Sequence, residues 1–170
     1  MLKIVSIVAL ALLATSCASI DNALNAPAQS SAQTMSASYA QKGLITKQSS
    51  HSAKNTADKL ESLIKDKGLT LFTRVDHQRN AANADLKLTP TEVIIFGNPK
   101  AGTPLMQCAP SVAIDLPQKM LISQDAQGRV WLTYNSTDYL KERHNIQGCD
   151  QVLSKISALL DNLSTAATSK

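Results

Sequence analysis

The sequence has few aromatic residues, few cysteines and none of the common catalytic motifs. Phe, Trp and Tyr make up 4% of the 170 residues, so a hydrophobic core has to be built mainly from Leu, Ile, Val and Ala. The chain contains no Gly-x-Ser-x-Gly, His-Glu-x-x-His, Cys-x-x-Cys or glycine-rich phosphate-binding loop. These absences make an enzyme less expected without excluding one.

A strong charge of one sign is missing as well. The formal net charge is +4, and the basic residues are scattered along the chain. A nucleic-acid-binding domain usually shows a clustered basic face, so we expect no nucleic-acid partner. Hydrophobic residues account for 44% of the chain, which is enough for one compact domain.

The amino terminus carries a targeting signal. Lys3 is followed by an apolar run over residues 4–14, which is shorter than the about 20 residues of a membrane-spanning helix and is typical of a signal peptide. Residues 13–17, Leu-Ala-Thr-Ser-Cys, resemble a lipobox, although Ala14 replaces the usual Leu three residues before the cysteine. We predict cleavage after Ser16 and lipidation of Cys17. Cleavage at the same bond by an ordinary signal peptidase is the alternative.

The residues that follow Cys17 are typical of a flexible spacer. They are rich in Ala, Ser, Asn, Gln and Pro and show no hydrophobic periodicity. Ala18 in place of Asp favours the outer membrane in lipoproteins that resemble this chain. We therefore predict an outer-membrane lipoprotein that faces the periplasm, with four parts: a signal peptide at 1–16, a lipid-anchored linker at 17–40, one domain at 41–164 and a frayed tail at 165–170.

Hydrophobic periodicity predicts a single α+β domain with a mixed sheet of four to five strands and packed helices. The apolar run Val93–Phe96 predicts a strand that is buried on both faces and therefore centrally placed. Thr103 is expected to cap a helix that begins at Pro104, with a kink or a second start at Pro110. A hairpin is predicted near Gly128.

Three segments carry a resemblance to a known family. Residues 96–99 (Phe-Gly-Asn-Pro), 102–107 (Gly-Thr-Pro-Leu-Met-Gln) and 115–117 (Asp-Leu-Pro) resemble the signature of the domain of unknown function 302 family. The flanking segments agree, and the match spans about residues 43–163. The resemblance implies a small α+β fold with a mixed sheet and no established activity. Relatives commonly have a small residue at Cys108, which favours a local role for that cysteine.

The leading functional hypothesis is a non-catalytic binding or accessory module with a small-ligand or anion site in the loop after the third strand. A helix start offers unpaired backbone amides and positive potential, which suit an anion. The candidate ligand-binding residues are Asn98, Thr103, Asp115, Lys119 and His77. The alternative is that this loop only forms a tight turn and a cap.

A second hypothesis is a periplasmic copper protein. Imidazole, thioether and reduced thiol together suit copper(I), and the candidate ligands are His77, Met106, Cys108 and His144, with Cys149 as a further thiol. A disulfide between Cys108 and Cys149 would remove both thiols, and an oxidising compartment permits that bond. The sequence leaves the pairing open.

A third hypothesis is a small hydrolase or another enzyme with acid–base groups. Asp76 beside His77, or Asp115 with Lys119 and Tyr134, could serve if the side chains converge. Asp76 also has a structural interpretation, as the cap of a strand-to-helix turn. The spacing in the sequence does not decide between these.

Overall fold

The computed structural model describes residues 43–170. The predicted signal peptide, the linker and Cys17 lie outside these residues. The described elements are the strands β1 (Leu44–Ser49), β2 (Thr70–Asp76), β3 (Thr91–Gly97), β4 (Gln118–Gln124) and β5 (Val130–Asn135), the helices α1 (Ala53–Asp66), α2 (His77–Ala82), α3 (Pro99–Cys108), α4 (Thr137–Arg143) and α5 (Asp150–Thr168), and a 3-10 helix at Pro110–Ile114. None of these helices is long and apolar enough to cross a bilayer.

The five strands form one antiparallel sheet in the order β1-β5-β4-β3-β2. The predicted α+β class and the number of strands are confirmed, but the predicted mixed sheet is not what the structure contains. The reason lies in the connections. The segment of α3 and the 3-10 helix returns the chain to the end of the sheet at which β3 finished, so β4 has to run in the opposite direction.

The core lies between one face of the sheet and the helices α1 and α5. Ile94, Met120 and Tyr134 are cross-strand neighbours on that face, and all three are buried. Along β3 the burial alternates, because Ile94 is buried whereas Val93 and Ile95 are partly exposed. The prediction that this strand is buried on both faces is therefore wrong. The central position belongs to β4, and β3 lies next to the edge strand β2.

A cluster of ion pairs joins α1 to the strands β2 and β3. Arg74 donates from Nη1 to Asp58 at 2.9 Å and to Glu61 at 2.7 Å, and its guanidinium also pairs with Glu92. These contacts raise the pKa of Arg74, with Glu92 contributing most. The pKa of Asp58 is lowered by hydrogen bonds from Lys54 and then Arg74, and the pKa of Glu61 is lowered by hydrogen bonds from Lys65 and then Arg74. The cluster fixes the orientation of α1 on the sheet.

The hairpin between β4 and β5 is confirmed, with Gly128 in the left-handed region at φ 78°. Asp125 organises the turn by accepting hydrogen bonds from the backbone of Arg129 at 2.9 Å and from Trp131 Nε1 at 2.9 Å. Desolvation acts to raise the pKa of Asp125, but these hydrogen bonds outweigh it and hold the pKa at about 2. The carboxylate is therefore charged throughout the physiological range.

Residues 165–168 belong to α5, so only Ser169 and Lys170 of the predicted frayed segment 165–170 lie beyond the helix. Ser164 and Ala167 are fully buried, and the backbone of Ser50 donates to the carbonyl of Thr168 at 2.8 Å. The small side chains of this last turn allow the helix to approach the end of β1 closely. The composition of this segment predicted fraying, because the contact with the end of β1 cannot be recognised from composition.

Candidate functional site

The loop after β3 builds the start of α3. Asn98 is the N-cap, and its Oδ1 accepts from the backbone of Lys100 at 2.9 Å. The helix thus begins at Pro99, and the predicted cap at Thr103 is wrong. A residue that can cap a helix precedes a proline twice here, at Asn98-Pro99 and at Thr103-Pro104, and the helix begins at the first of these pairs. At the other end, the predicted second start at Pro110 is confirmed by the 3-10 helix.

This geometry leaves few donors for an anion at the helix start. The amide of Lys100 is bonded to the Asn98 side chain, and the amides of Ala101 and Gly102 donate to the Asn98 carbonyl at 2.9 and 3.0 Å. Pro99 has no amide hydrogen. The unpaired amides on which the anion hypothesis depended are therefore already satisfied within the loop.

The same loop forms one wall of a pocket of about 280 Å³. The pocket lies between the end of β3, the helix α3, the segment before β4 and the middle of α5. Its lining is apolar apart from three side chains, and consists of Leu69, Phe72, Phe96, Gly97, Asn98, Pro99, Ala101, Gly102, Thr103, Met106, Ala113, Leu116, Pro117, Gln118, Ile156, Leu159 and Leu160. The volume is close to the lower end for small-molecule sites.

Gln118 contributes a polar group to this apolar lining. Its Nε2 is buried and has no hydrogen-bond partner within residues 43–170. A buried donor without an acceptor costs about 1–3 kcal/mol, and native structures contain few such groups. Because Nε2 is itself buried, an acceptor on a molecule in the pocket could reach it only if the amide turns toward the cavity.

The mouth of the pocket is formed where β2 is irregular. Leu71 pairs with Phe96 and Thr73 pairs with Ile95, so Phe72 is the extra residue of a β-bulge. Phe72 is 54% exposed although it lines the pocket. A β-bulge changes the direction in which the side chain of the extra residue points.

The predicted ligand-binding residues are only partly brought together. Asn98 and Thr103 line the pocket. Lys119 donates to the backbone carbonyls of Asp115 and Pro117 at 3.1 and 3.0 Å, so it fastens the segment beside the pocket. His77 follows the end of β2 that pairs with the start of β3, which places it on the order of 15–20 Å along the strands from the pocket.

A second polar cluster lies beside the pocket, on the 3-10 helix and the end of α4. His144 accepts or donates through Nδ1 at 3.1 Å from Ser111 Oγ and through Nε2 at 2.7 Å from Asp115 Oδ2. Arg143 Nε lies 3.4 Å from the same carboxylate oxygen. The His144 side chain is 5% exposed. The sequence did not predict this cluster, because His144 lies 33 residues from Ser111 and 29 residues from Asp115 along the chain.

The structure does not assemble the predicted copper ligands. Cys108 and Cys149 form a disulfide, with their Cα atoms 6.5 Å apart, so neither thiol is free to bind a metal. Both ring nitrogens of His144 are within hydrogen-bond distance of protein oxygens. Met106 lines the pocket, whereas His77 is at the far end of the sheet. Across residues 43–170, no group of three or more His, Cys, Asp or Glu residues is arranged to hold a metal ion.

The predicted acid–base set is not assembled either. Tyr134 is buried in the core, where its hydroxyl is 3.4 Å from Ser164 Oγ. Asp76 caps α2 by accepting from the backbone of Arg79 at 2.8 Å, which confirms its structural interpretation. His77 and Asp115 lie near opposite ends of β3.

A larger groove of about 1040 Å³ lies at the other end of the sheet. Its charged side chains already have partners within the domain. Arg74 is held by three carboxylates, Arg129 pairs with Asp125 at 2.8 Å, and Lys54 pairs with Asp58. The groove offers a solvated ionic surface, and we place the candidate site in the smaller apolar pocket.

Comparisons with known proteins agree with the fold and the sequence motif. A family model for the domain of unknown function DUF302 matches residues 45–163. The crystal structure of an uncharacterised conserved DUF302 protein from Bacillus stearothermophilus superimposes with a TM-score of 0.66 at 17% identity, covering 74% of this chain and 98% of that one. At this identity the likeness shows the fold alone.

Two relatives come from Brucella suis biovar 1 and Brucella abortus biovar 1, and each is named fluoride-specific ion channel FluC 1. Each is 44% identical over 110 residues, or 65% of this chain. The match covers 43% and 41% of the two relatives, so this chain spans less than half of their length. Since the family model covers most of the described domain, the chain belongs to the DUF302 family.

Proposed function

We propose that the domain is a non-catalytic binding module whose pocket beside Asn98 takes a small, mainly apolar molecule with one hydrogen-bond acceptor. The observation that carries this proposal is the mainly apolar lining of the pocket, to which Gln118 contributes a side chain with an unpaired amide nitrogen. An acceptor on the ligand would remove the cost of the unpaired donor, and burial of apolar surface would supply the remaining affinity.

The size of the pocket supports the same class of ligand. An apolar cavity of about 150 Å³ can hold benzene, and the volume here is about 280 Å³. The ligand is therefore on the scale of a single ring or a short chain with a polar substituent. Asn98 and Thr103 are the other polar residues of the lining, and they remain the predicted ligand-binding residues of the loop.

We also propose that the module acts in the cell envelope as a lipid-anchored accessory protein. The lipobox-like segment ending at Cys17 supports the anchor. The Brucella relatives support an accessory role near a membrane protein, because a similar domain is there part of a longer chain named as an ion channel. Fractionation of cells that produce the wild type or Cys17→Ser tests the anchor. Retention of the variant in the membrane fraction would contradict it.

Binding is tested by NMR titration with two primary amides, benzamide and hexanamide, whose carbonyl can accept from Gln118. The proposal predicts saturable shifts concentrated at the amides of Gly97, Asn98 and Ala113, which line the pocket. The shifts should be absent in Gln118→Leu. If neither amide causes saturable shifts in the wild type, the pocket is not a site for this class of ligand.

Replacing Gln118 by methionine is expected to stabilise the ligand-free protein by about 1 kcal/mol, because it removes an unpaired buried donor and keeps the length of the side chain. Urea unfolding measures this change. Gln124→Met is the matched control on the same strand, since the Gln124 amide donates to the Gly128 carbonyl at 3.1 Å and its removal should not stabilise. A loss of stability in Gln118→Met would show that the amide has a partner in solution.

A hydrolase is the second candidate, favoured by the contacts among Ser111, His144 and Asp115. A serine, a histidine and a carboxylate in this order form the nucleophilic group of many acyl-transfer enzymes. Neither Ser111 nor His144 lines the pocket, however. The binding proposal therefore predicts that a fluorophosphonate probe leaves Ser111 unmodified by mass spectrometry. Labelling that disappears in Ser111→Ala and in His144→Gln would favour the hydrolase instead.

A further inference from the structure

Two large apolar residues beside the apolar pocket are exposed, and we call them the pocket rim. Phe72 lines the pocket and is 54% exposed, and Ile114 follows the lining residue Ala113 and is 74% exposed. Both adjoin the same apolar lining. Exposed apolar groups gathered at one place on a soluble domain mark a surface that binds a protein or a membrane.

The chain enters the domain at the end of the sheet that carries the rim. Gly43 directly precedes β1, and the strand register places Leu44, Gln118 and Gly97 at the same end of the sheet. Three strand spacings of about 4.8 Å separate β1 from β3. The chain that leads back to Cys17 therefore joins the domain about 15 Å across the sheet from the pocket.

The charges that adjoin the pocket lining along the chain are mainly positive. The exposed lysines within two residues of a lining residue are Lys67, Lys100, Lys119 and Lys155. None of the ion pairs within residues 43–170 involves these four lysines. The acidic residues that adjoin the lining in the same way are already paired, Asp115 with His144 at 2.7 Å and Asp161 with Lys47 at 2.6 Å. The rim therefore presents unpaired cations beside exposed apolar groups.

The opposite end of the sheet lacks this combination in the part of the chain that the structure describes. Leu86 and Leu88 are exposed there, at 66% and 43%, in the segment before β3. The groove at that end is ionic, and its charged side chains have partners within the domain. Leu86 and Leu88 therefore serve as a control for exposed apolar surface away from the pocket.

We infer that the pocket rim docks on an anionic lipid surface. Phe72 and Ile114 insert at the membrane interface, and the four lysines lie against the phosphate headgroups. The inference rests on the proposed function in one respect, the location of the domain at a membrane, and adds the part of the domain that meets the bilayer. A docked rim turns the pocket toward the bilayer, from which an apolar ligand can enter.

Co-sedimentation with lipid vesicles tests the rim in the absence of an anchor. The protein begins at residue 17 and carries Cys17→Ser, so neither the apolar run 4–14 nor a lipid contributes. Vesicles of equal parts phosphatidylglycerol and phosphatidylcholine should bind it at least about tenfold more tightly than phosphatidylcholine alone, because each lysine near an anionic surface contributes about fivefold.

Absence of binding to both kinds of vesicle would overturn the inference and leave a protein as the partner of this surface. Equal binding to both would overturn it as well. Neither result bears on the anchor, which the fractionation of cells tests separately, or on the pocket, which the titration with amides tests.

Paired substitutions locate the apolar contact. Phe72→Ser combined with Ile114→Ser should lower the affinity for the anionic vesicles by about tenfold or more, because binding scales with the apolar area that enters the interface. Leu86→Ser combined with Leu88→Ser is the matched control, and its affinity should stay within about twofold. Circular dichroism checks that both proteins are folded. Equal losses in the two variants, or no loss in the first, would overturn the inference.

A second pair of variants tests the charges. Lys67→Gln combined with Lys100→Gln should lower the affinity for the anionic vesicles by about tenfold and leave binding to phosphatidylcholine unchanged. Lys54→Gln combined with Lys87→Gln removes the same charge at the other end of the sheet and should change the affinity by less than about threefold. Unchanged affinity in the Lys67 and Lys100 variant would overturn the inference.

Discussion

Replacing Cys108 and Cys149 by alanine is expected to lower the free energy of unfolding by about 4 kcal/mol. The disulfide closes a loop with a sequence separation of 41 residues, and opening that loop enlarges the conformational freedom of the unfolded chain. It also joins the end of α3 to the start of α5. Urea unfolding of the double variant, compared with the wild type under oxidising conditions, measures the change.

Chemical reduction of the disulfide is a second way to remove the cross-link and serves as the control. Both proteins should carry Cys17→Ser so that no third thiol can exchange with the pair. Reduction of the Cys17→Ser protein by dithiothreitol should reproduce most of the loss seen in the double alanine variant, because both remove the same cross-link. A reduced protein that keeps its stability to within about 1 kcal/mol would contradict the entropic account of this disulfide.

Replacing Arg74 by methionine is expected to cost about 2 kcal/mol at neutral pH. Removal of one partner from a fully buried ion pair costs about 3–5 kcal/mol, and exposed pairs contribute less than about 1 kcal/mol. The Arg74 side chain is 27% exposed, so the expected value lies between these limits. The variant leaves Asp58, Glu61 and Glu92 close together without their shared cation.

The same cluster predicts how the stability of the protein changes in acid. The pKa values of Asp58 and Glu61 are lowered in the folded protein, so their contribution to stability is present above the pKa of the unfolded chain and is lost as the pH falls through the folded pKa. The wild type should lose stability between about pH 5 and about pH 3. Arg74→Met should lose less over that range, because Arg74 is one cause of the lowered pKa values.

Arg79→Met is the matched control for this pair of measurements. Arg79 is 77% exposed and makes one ion pair, at 3.5 Å to Asp76. Its removal should change stability by less than about 0.5 kcal/mol. The loss of stability between about pH 5 and about pH 3 should be the same as in the wild type. If the wild type and Arg74→Met lose the same stability as the pH falls, the cluster does not determine how the stability depends on pH in acid.

The elements of the domain could be predicted because their signals are local. Ser52 caps α1, and Gly68 ends that region in the left-handed conformation at φ 66°. The turn residue Gly128 marks the hairpin. The family motif from Phe96 to Pro117 pointed to the DUF302 family, which the family model confirms.

The errors arose where two local signals compete or where burial depends on distant residues. Asn98 and Thr103 both precede proline, and sequence spacing does not show which of them caps the helix. The fraying predicted for residues 165–170 is wrong for residues 165–168, because Ala167 and Thr168 are buried against the rest of the fold. The role of Gln118 had no sequence signal, since an amide is unpaired only in relation to its surroundings.

By itself, the sequence determined the α+β class, the hairpin near Gly128, and the loop after β3 as a candidate site. Only the tertiary structure decided the strand order, the pairing of Cys108 with Cys149, and the meeting of Phe72, Gly97 and Gln118 at one pocket. Periodicity and capping act over a few residues, so they can be read along the chain. A pocket depends on contacts between residues far apart in the sequence, and those contacts exist only after the sheet and helices have packed.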